Sequence, residues 1–335
     1  MTGSSDAGEW AARPGESTIA SVGEIAAISA FAPRLPASRM RVLGPGDDAA
    51  VITAPDGRFV VTTDTMVHGP DFRTAWTTPV DLGWKLAASN LADIAAMGAK
   101  PTALVVSLVV PSGTPIRVLT GIADGLRAAC AELAPGCGVE GGDLATGPVV
   151  VAAATAFGDL EGRAPVTRAG ARVGDVVAAS GATGAAARGI AALFGAATVD
   201  GRPDARLGRE RRAVDADVEA QLRPRPPIGD GPLAAIAGAT AMLDVSDGLV
   251  LDARRIALAS DVAIDLDSAA VGDAAALHGG EDHALLAAFP PGVELPGGFR
   301  AIGTVLEGHG VLVDGAPLPA GSGWDPFTAW DGAAG

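Results

Sequence analysis

The chain predicts a two-domain α/β (α+β) fold, and three observations carry that reading. Its 335 residues are enough for two substantial cores, and 48% of them are apolar, as in globular rather than disordered chains. Apolar runs of strand length alternate with longer stretches of helical periodicity through both halves. From Asp159 to Gly174 this pattern breaks into Gly, Arg and Pro. The break separates an N-terminal unit, 18–160, from a C-terminal unit, 170–335.

Residues 1–17 are polar and rich in Gly and Ser, with no apolar segment of signal-peptide type, so they read as a flexible tail. Ser21 and Glu24 have capping-box spacing ahead of 25–31, which predicts a first helix running to about Pro33. Segments 49–53 and 58–63, joined by Pro55-Asp56-Gly57, give a hairpin signal. Thr78-Pro79 opens a helix through Met97, with proline at its first position and Gly98 as its stop. Residues 102–110 then read as a buried strand and 115–133 as a helix. Val139 is a short strand entering the turn Gly141-Gly142-Asp143, and 149–157 is another buried strand, which makes about four strands in this half. In the second half, strand 175–180 runs through a Gly-Ala-Thr-Gly turn into a helix, and 200–212 reads as an exposed charged loop. Helices flank Arg223-Pro224-Arg225-Pro226-Pro227, and strand 240–245 meets helix 248–259.

Six short clusters of Gly, Ser, Thr, Asn and acidic residues punctuate these elements. They are Gly46-Asp47-Asp48, Thr62-Thr63-Asp64-Thr65, Asn90-Leu91-Ala92-Asp93, Gly141-Gly142-Asp143, Asp244-Val245-Ser246-Asp247-Gly248 and Gly279-Gly280-Glu281-Asp282. Most stand where an apolar run stops, which puts carboxylates at strand ends and helix starts. If they converge, two like charges ~4 Å apart repel by roughly 4 kcal/mol at an effective dielectric of 20. Such a site needs cations. Hard oxygen donors without Cys or a His cluster point to magnesium, which usually brings a phosphate substrate.

Each cluster also has a plainer reading. Gly46-Asp47-Asp48 could be an ordinary turn, and Asp64 a helix cap or Asx turn rather than a metal carboxylate. Lys85, Ser89 and Asp93 recur every four residues on one helix face, with Asn90 near them; the row suits either a surface salt-bridge stripe or a polar seam in a core. Asp244 to Gly248 stand at a strand-to-helix junction, where free N–H groups and the helix dipole favour anions. Two aspartates there would repel a bare phosphate but suit one bridged by magnesium, while Ser246 could simply be the helix N-cap. The chain has no Gly-Lys pair and hence no P-loop, and it lacks GxSxG, HExxH and any His/Cys zinc pattern. His68, His278, His283 and His309 are scattered and read as structural.

The net charge of −15 argues against nucleic acid and anionic membranes as partners. Lysine is confined to Lys85 and Lys100. Cys130 and Cys137 lack CxxC spacing and read as reduced thiols of a cytoplasmic protein. The longest apolar stretch, 102–111, is too short to span a bilayer.

Taken in order, GPGDDAAV, TTDTMVHGPDF, GWKLAASNLADIAAMGAKP, GGDLATGP, TRAGARVGD, LDVSDGL and GGEDHALL resemble the thiamine-monophosphate kinase family, over residues 23–327. That family belongs with aminoimidazole ribonucleotide synthetase and selenophosphate synthetase. The resemblance implies an N-terminal α/β domain dimerising through its sheet, a C-terminal α+β domain, and an ATP site between domains and across the dimer contact. It implies ATP-dependent phosphorylation of thiamine monophosphate to thiamine diphosphate, in a homodimer. It further implies magnesium on Asp48, Thr62, Thr63, Asp64, Asp93, Asp143, Asp244 and Asp247. ATP would meet Gly142, Asp143, Arg168 and Ser246, and the thiamine part Glu281 and Trp324. One motif departs. Where the family usually has Gly-Val-His-Phe or Gly-Asn-His-Phe, this chain has Gly69-Pro70-Asp71-Phe72, so Asp71 takes the place of a substrate-contacting His. His283 stands where Tyr is common. The acceptor is an ionised phosphate, so no general base is expected, and positioning and charge neutralisation would supply catalysis. Ribonucleotide cyclisation with ATP and an idle nucleotide-binding regulator are the alternatives.

Overall fold

The computed structural model describes residues 10–44 and 49–318. The chain enters along residues 10–18, which are docked: Trp10 is buried and its indole Nε1 donates to Thr77 O at 2.8 Å. Residues 1–9 of the expected tail lie outside the described residues. Helices α1 (Ile19–Val22) and α2 (Glu24–Phe31) follow, and a 3-10 turn (Ala32–Arg34) closes the segment. Their capping box is Thr18 with Ser21, one turn earlier than the Ser21/Glu24 spacing suggests. Gly23 splits the segment at φ +81, a conformation that side chains with a Cβ avoid.

Strand β1 (Arg41–Leu43) pairs with β2 (Val51–Ile52), so the hairpin expected between 49–53 and 58–63 does not form. The second segment belongs instead to β3 (Val60–Val67), a longer strand whose Val60, Thr62, Asp64 and Met66 turn inward. It then needs a long partner, and finds it farther along the chain. Helix α3 (Pro79–Ala96), β4 (Lys100–Val110), α4 (Ile116–Leu133), β5 (Gly138–Thr146) and β6 (Val151–Asp159) complete this half. The sheet order is β3-β6-β4-β5, with β4 and β5 parallel and β3 paired to β6 from Val60↔Gly158 to Val67↔Val151. Gly141-Gly142-Asp143 therefore lies within β5 and is no turn, because Asp143 is held opposite Ser107 of β4. Thr78 caps α3 as its sequence implies, and Gly98 stops it at φ +74. Cys130 and Cys137 are buried and free.

The second half continues with β7 (Val176–Ser180), α5 (Ala185–Ala196), β8 (Thr198–Val199), β9 (Arg202–Pro203), α6 (Ala205–Arg212), α7 (Ala216–Leu222) and α8 (Asp230–Ile236). After these come β10 (Ala241–Val245), α9 (Leu249–Ser260), β11 (Ala263–Leu266), α10 (Ser268–Val271), α11 (Ala274–His278) and β12 (Ala284–Phe289). The last three strands are β13 (Arg300–Leu306), β14 (Gly310–Val313) and β15 (Ala316–Pro317). Seven of these strands form one sheet in the order β10-β12-β7-β13-β11-β14-β15, antiparallel except for β11 beside β14. The stretch 200–212 is no exposed loop. Asp204 caps α6, and Arg212 at its end reaches the fully buried Asp81 of α3.

Helix α3 lies between the two sheets. It packs on β3, β4 and β6 on one side and on β10, β12 and α8 on the other. Only Asp93 and Val80 of its residues escape full burial. Its contact with α4 is close enough that a Cβ at Gly83 would stand 2.0 Å from Ile122 O, and one at Gly125 2.0 Å from Val80 O. The far face of the four-stranded sheet shows Val61, Thr63, Val105, Ser107, Ala153 and Thr155, with Val61 53% exposed.

Candidate active site

Burial of α3 between two sheets decides the meaning of its polar stripe. Lys85, Ser89 and Asn90 are buried, so the row is a polar seam in the core and not a solvated face. Ser89 Oγ and Asn90 Nδ2 donate back to Lys85 O and Leu86 O, both at 2.8 Å. Asn90 Oδ1 accepts the backbone N–H of Asp64 at 3.1 Å, and the Thr62 hydroxyl donates to Asp93 Oδ2 at 2.8 Å. These two bonds fix the edge of β3 against the C-terminal half of α3.

Strand β10 delivers the next carboxylate. Asp244 Oδ2 lies 3.0 Å from His283 Nδ1, and the loop carrying His283 is anchored to the end of β10. Glu281 N donates to Ser246 O at 2.9 Å and His283 N to Val245 O at 3.2 Å. The Asp282 carboxylate accepts Gly184 N and Ala186 N at 2.6 and 2.9 Å, filling the N-terminus of α5. Beyond β10, Gly248 is the N-cap of α9, so Ser246 is not. The Asp247 N–H donates to Asp252 Oδ2 at 3.1 Å, and Arg255 pairs with both Asp247 and Asp252.

The carboxylates feel one another. Burial, then the charges of Asp244 and Asp64, push Asp93 up to about 7 against the Thr62 hydrogen bond. Burial also raises Asp64, with Asp244 and Asp247 adding and His283 opposing. Asp252 is pushed up to about 6, chiefly by burial. Burial alone would lower His283, but the hydrogen bond and charge of Asp244, with Glu281 and Asp64, raise it. Asp71 is raised by burial, with Glu281 raising it further and the Val67 N–H and Lys85 pulling down. Among the described residues no three of these groups close tightly enough to hold one ion alone. That spacing fits magnesium, which keeps several waters and takes one or two carboxylates plus substrate phosphates.

A stability prediction follows. Asp93 binds its proton in the folded state up to about pH 7, whereas an unfolded Asp releases it near 3.9. The folded state holds more protons across that window, so stability falls as pH rises through it. The raised Asp64, Asp252 and His283 act in the same direction. Metal-free protein is expected to melt several degrees lower at pH 8 than at pH 5, and magnesium to restore the difference. Thermal scans giving a flat or rising Tm without metal would show that the carboxylates are not crowded.

Residues 46–160 match the family model described as AIR synthase related protein, N-terminal domain. The thiamine-monophosphate kinase of Mycobacterium tuberculosis (strain CDC 1551 / Oshkosh) is 43% identical over 330 residues, covering 92% of this chain and 93% of that protein. The chain belongs to the thiamine-monophosphate kinase family. Among solved structures, the family member from Stenotrophomonas maltophilia K279a is 29% identical, with a TM-score of 0.71 over 88% of this chain and 98% of that one. A second, AaThiL complexed with AMPPCP and TMP, is also 29% identical, with a TM-score of 0.68 over 83% of this chain and 90% of that one.

Of the residues the family resemblance singled out, the structure gathers Thr62, Asp64, Asp93, Asp244 and Asp247 around one space, with Asp71 and Glu281 beside it. Others lie apart. The Thr63 hydroxyl turns to the far face of the sheet and donates to Ala154 O at 2.9 Å. Gly142 and Asp143 stand on β5, at the opposite edge from β3, with two strands between. At the usual strand spacing that is roughly 14 Å. Arg168 is exposed, and its carbonyl accepts the Ser260 hydroxyl. Asp48 and Trp324 lie outside the described residues. Sequence reading missed His283, Asp252 and Gln221. Only the first left a signal, since His283 directly follows an acidic Gly-rich cluster.

Proposed function

We propose that this chain transfers the γ-phosphoryl group of ATP to the phosphate of thiamine monophosphate, giving ADP and thiamine diphosphate with the help of magnesium. The observation that carries the reading is the convergence of Asp64, Asp93, Asp244 and Asp247 from β3, α3 and the β10–α9 junction, where burial and then the charges of Asp244 and Asp64 push Asp93 up to about 7 and Asp247 adds to the rise of Asp64. A site so arranged binds cations and, through them, phosphates. The attacking oxygen is already ionised, so in-line positioning and charge neutralisation account for the rate without a general base. On this reading Thr62 and Asp48 complete the magnesium shell within one chain. Gly142 and Asp143, two strands away, would serve from a second copy, and Thr63, whose hydroxyl faces the other side of the sheet, would offer no side-chain oxygen. Arg168 and Ser246 would meet the nucleotide. Arg168 suits that role as a forked donor. Asp71, Glu281 and Trp324 would contact the acceptor.

Assembly follows from the exposed sheet face. Val61, Val105 and the neighbouring Phe59 are 53%, 37% and 58% exposed on a surface too apolar for water. A second copy covering it would bury these side chains, as the family resemblance implies. Sedimentation at micromolar concentration is expected to give a dimer, and a stable monomer would remove this support. The two units would be 18–160 and 170–335. Cytoplasmic residence fits the reduced cysteines, and no helix among the described residues is long and apolar enough to cross a membrane.

The deciding experiment is turnover. Purified protein with ATP, thiamine monophosphate and magnesium should yield ADP and thiamine diphosphate, and EDTA should stop the reaction until magnesium is returned. ATP binding without product would favour the regulator, and turnover only of a ribonucleotide the cyclase. Full activity without metal would sink the magnesium assignment.

A further inference from the structure

We propose that Lys85 and Gln221 are positioning residues that grip one oxygen of Glu281 and leave the other for the acceptor, so that they set affinity for its amine-bearing or cationic heteroaromatic part. The inference rests on the kinase reading above and deepens it.

Lys85 Nζ lies 3.1 Å from Glu281 Oε2, and Gln221 Nε2 donates to the same oxygen at 2.6 Å. Both contacts fall on this one oxygen. The two come from different elements, α3 and α7, and both are sheltered: Lys85 is 3% and Gln221 5% exposed. The Glu281 side chain is 41% exposed, and its charge is felt at His283 and Asp71. A buried ammonium and a buried amide are costly without partners, so both donors have reason to hold Glu281 in one place. The backbone points the same way. Glu281 and His283 take φ of +67 and +54, which residues with a Cβ rarely adopt. That strain persists because the surroundings over-determine it: Glu281 N and His283 N are bonded to the end of β10, and a Cβ at Gly280 would stand 2.1 Å from Ser246 O. Strain held in this way, beside a charge cluster, suits a residue kept ready for a ligand. Asp71 shares the setting, since it feels the charges of both Glu281 and Lys85.

A plain staple between α3 and α7 would use the same contacts, so the test must separate the two roles. Gln221→Leu keeps the volume and removes the donor, and Lys85→Met does the same for the ammonium. If they act through Glu281, each should raise KM for thiamine monophosphate about ten- to a hundredfold, the span for a hydrogen bond to a charged group. KM for ATP should stay within twofold. In a Glu281→Ala background, Gln221→Leu should add nothing further. Equal rises in both KM values, no rise at all, or a full independent effect in the Glu281→Ala background would each overturn the positioning role. Lys85→Met could fail to fold, and Gln221→Leu, which loses only a neutral amide, then carries the test. Absence of turnover by the unaltered protein would instead overturn the kinase reading, and this role with it.

Discussion

Asp93→Asn is expected to lower kcat about 100- to 1,000-fold while making the metal-free protein more stable. The asparagine keeps the shape of the side chain and can still accept the Thr62 hydroxyl, held at 2.8 Å in the native protein. What it loses is the charge. In the metal-free protein that charge is a burden, because burial, and then the charges of Asp244 and Asp64, push its carboxyl up to about 7. On the proposed function, with magnesium and nucleotide bound, the same charge would fix an ion against developing negative charge on the phosphates, an effect of this order when a single preorganised group is removed. Stability and activity should therefore move in opposite directions, as at strained functional sites generally. Metal-free Tm should rise, the fall in Tm between pH 5 and 8 should shrink, and magnesium should stabilise the variant less than the native protein. Asp71→His supplies the contrast. Asp71 accepts Val67 N at 2.7 Å and faces Glu281 and Lys85 rather than the Asp64–Asp93–Asp244 group. Its change should act mainly on KM for thiamine monophosphate. Loss of turnover in Asp71→His with an intact Asp93→Asn enzyme would reverse the two roles.

How much of this was legible beforehand depends on the range of the force involved. Helix α3 announced itself locally, through the Thr78-Pro79 start and the Gly98 stop, and both ends lie where those residues put them. Four of the six acidic clusters, at 62–65, 90–93, 244–248 and 279–282, likewise marked elements that converge. Long-range choices were opaque. Pro55-Asp56-Gly57 is a sound turn signal, yet β3 pairs with a strand about ninety residues later because its inward face needs a full-length partner. Gly141-Gly142-Asp143 looked like a turn because glycine is poor in strands, but β4 holds all three in register. The stripe of Lys85, Ser89 and Asp93 was visible as a stripe. Which way it faced was not, because the second sheet that buries it comes from the other half of the chain. His283 shows the same limit. A lone histidine reads as structural until Asp244 is seen 3.0 Å away.

Asp81 supplies the largest stability effect we expect. It stands in the first turn of α3 and completes the capping box of Thr78, whose N and Oγ1 donate to its Oδ2 at 3.0 and 2.7 Å. The structure adds two guanidinium groups from beyond the presumed charged loop. Arg212 reaches both carboxylate oxygens at 2.8 and 3.1 Å, and Arg223 reaches Oδ1. Asp81 is fully buried, and burial alone would raise its pKa, but Arg212 and Thr78 outweigh it and hold the carboxyl below the usual range. A carboxylate depressed in this way stabilises the fold above its unfolded pKa, and that contribution disappears as pH falls below about 4. Asp81→Ala removes the buried centre of the ion cluster at the junction of α3, α6 and α7 and leaves Arg212 and Arg223 with only the half-exposed Glu219. Breaking a buried pair by removing one partner costs about 3–5 kcal/mol. Arg212 and Arg223 keep 22% and 29% of their side chains in water, which favours the lower end. At about 2 °C or more per kcal/mol, Tm should fall by at least about 5 °C. The loss should shrink as pH falls below about 4, where the unfolded chain takes up the proton that folded Asp81 resists. Because Gln221 precedes Arg223 on the same helix end, the variant should also weaken the hold on Glu281 and raise KM for thiamine monophosphate at temperatures where it remains folded. An unchanged Tm at neutral pH would mean that α6 and α7 are held to α3 by packing alone, and that the ion cluster of Asp81, Arg212, Arg223 and Glu219 is incidental.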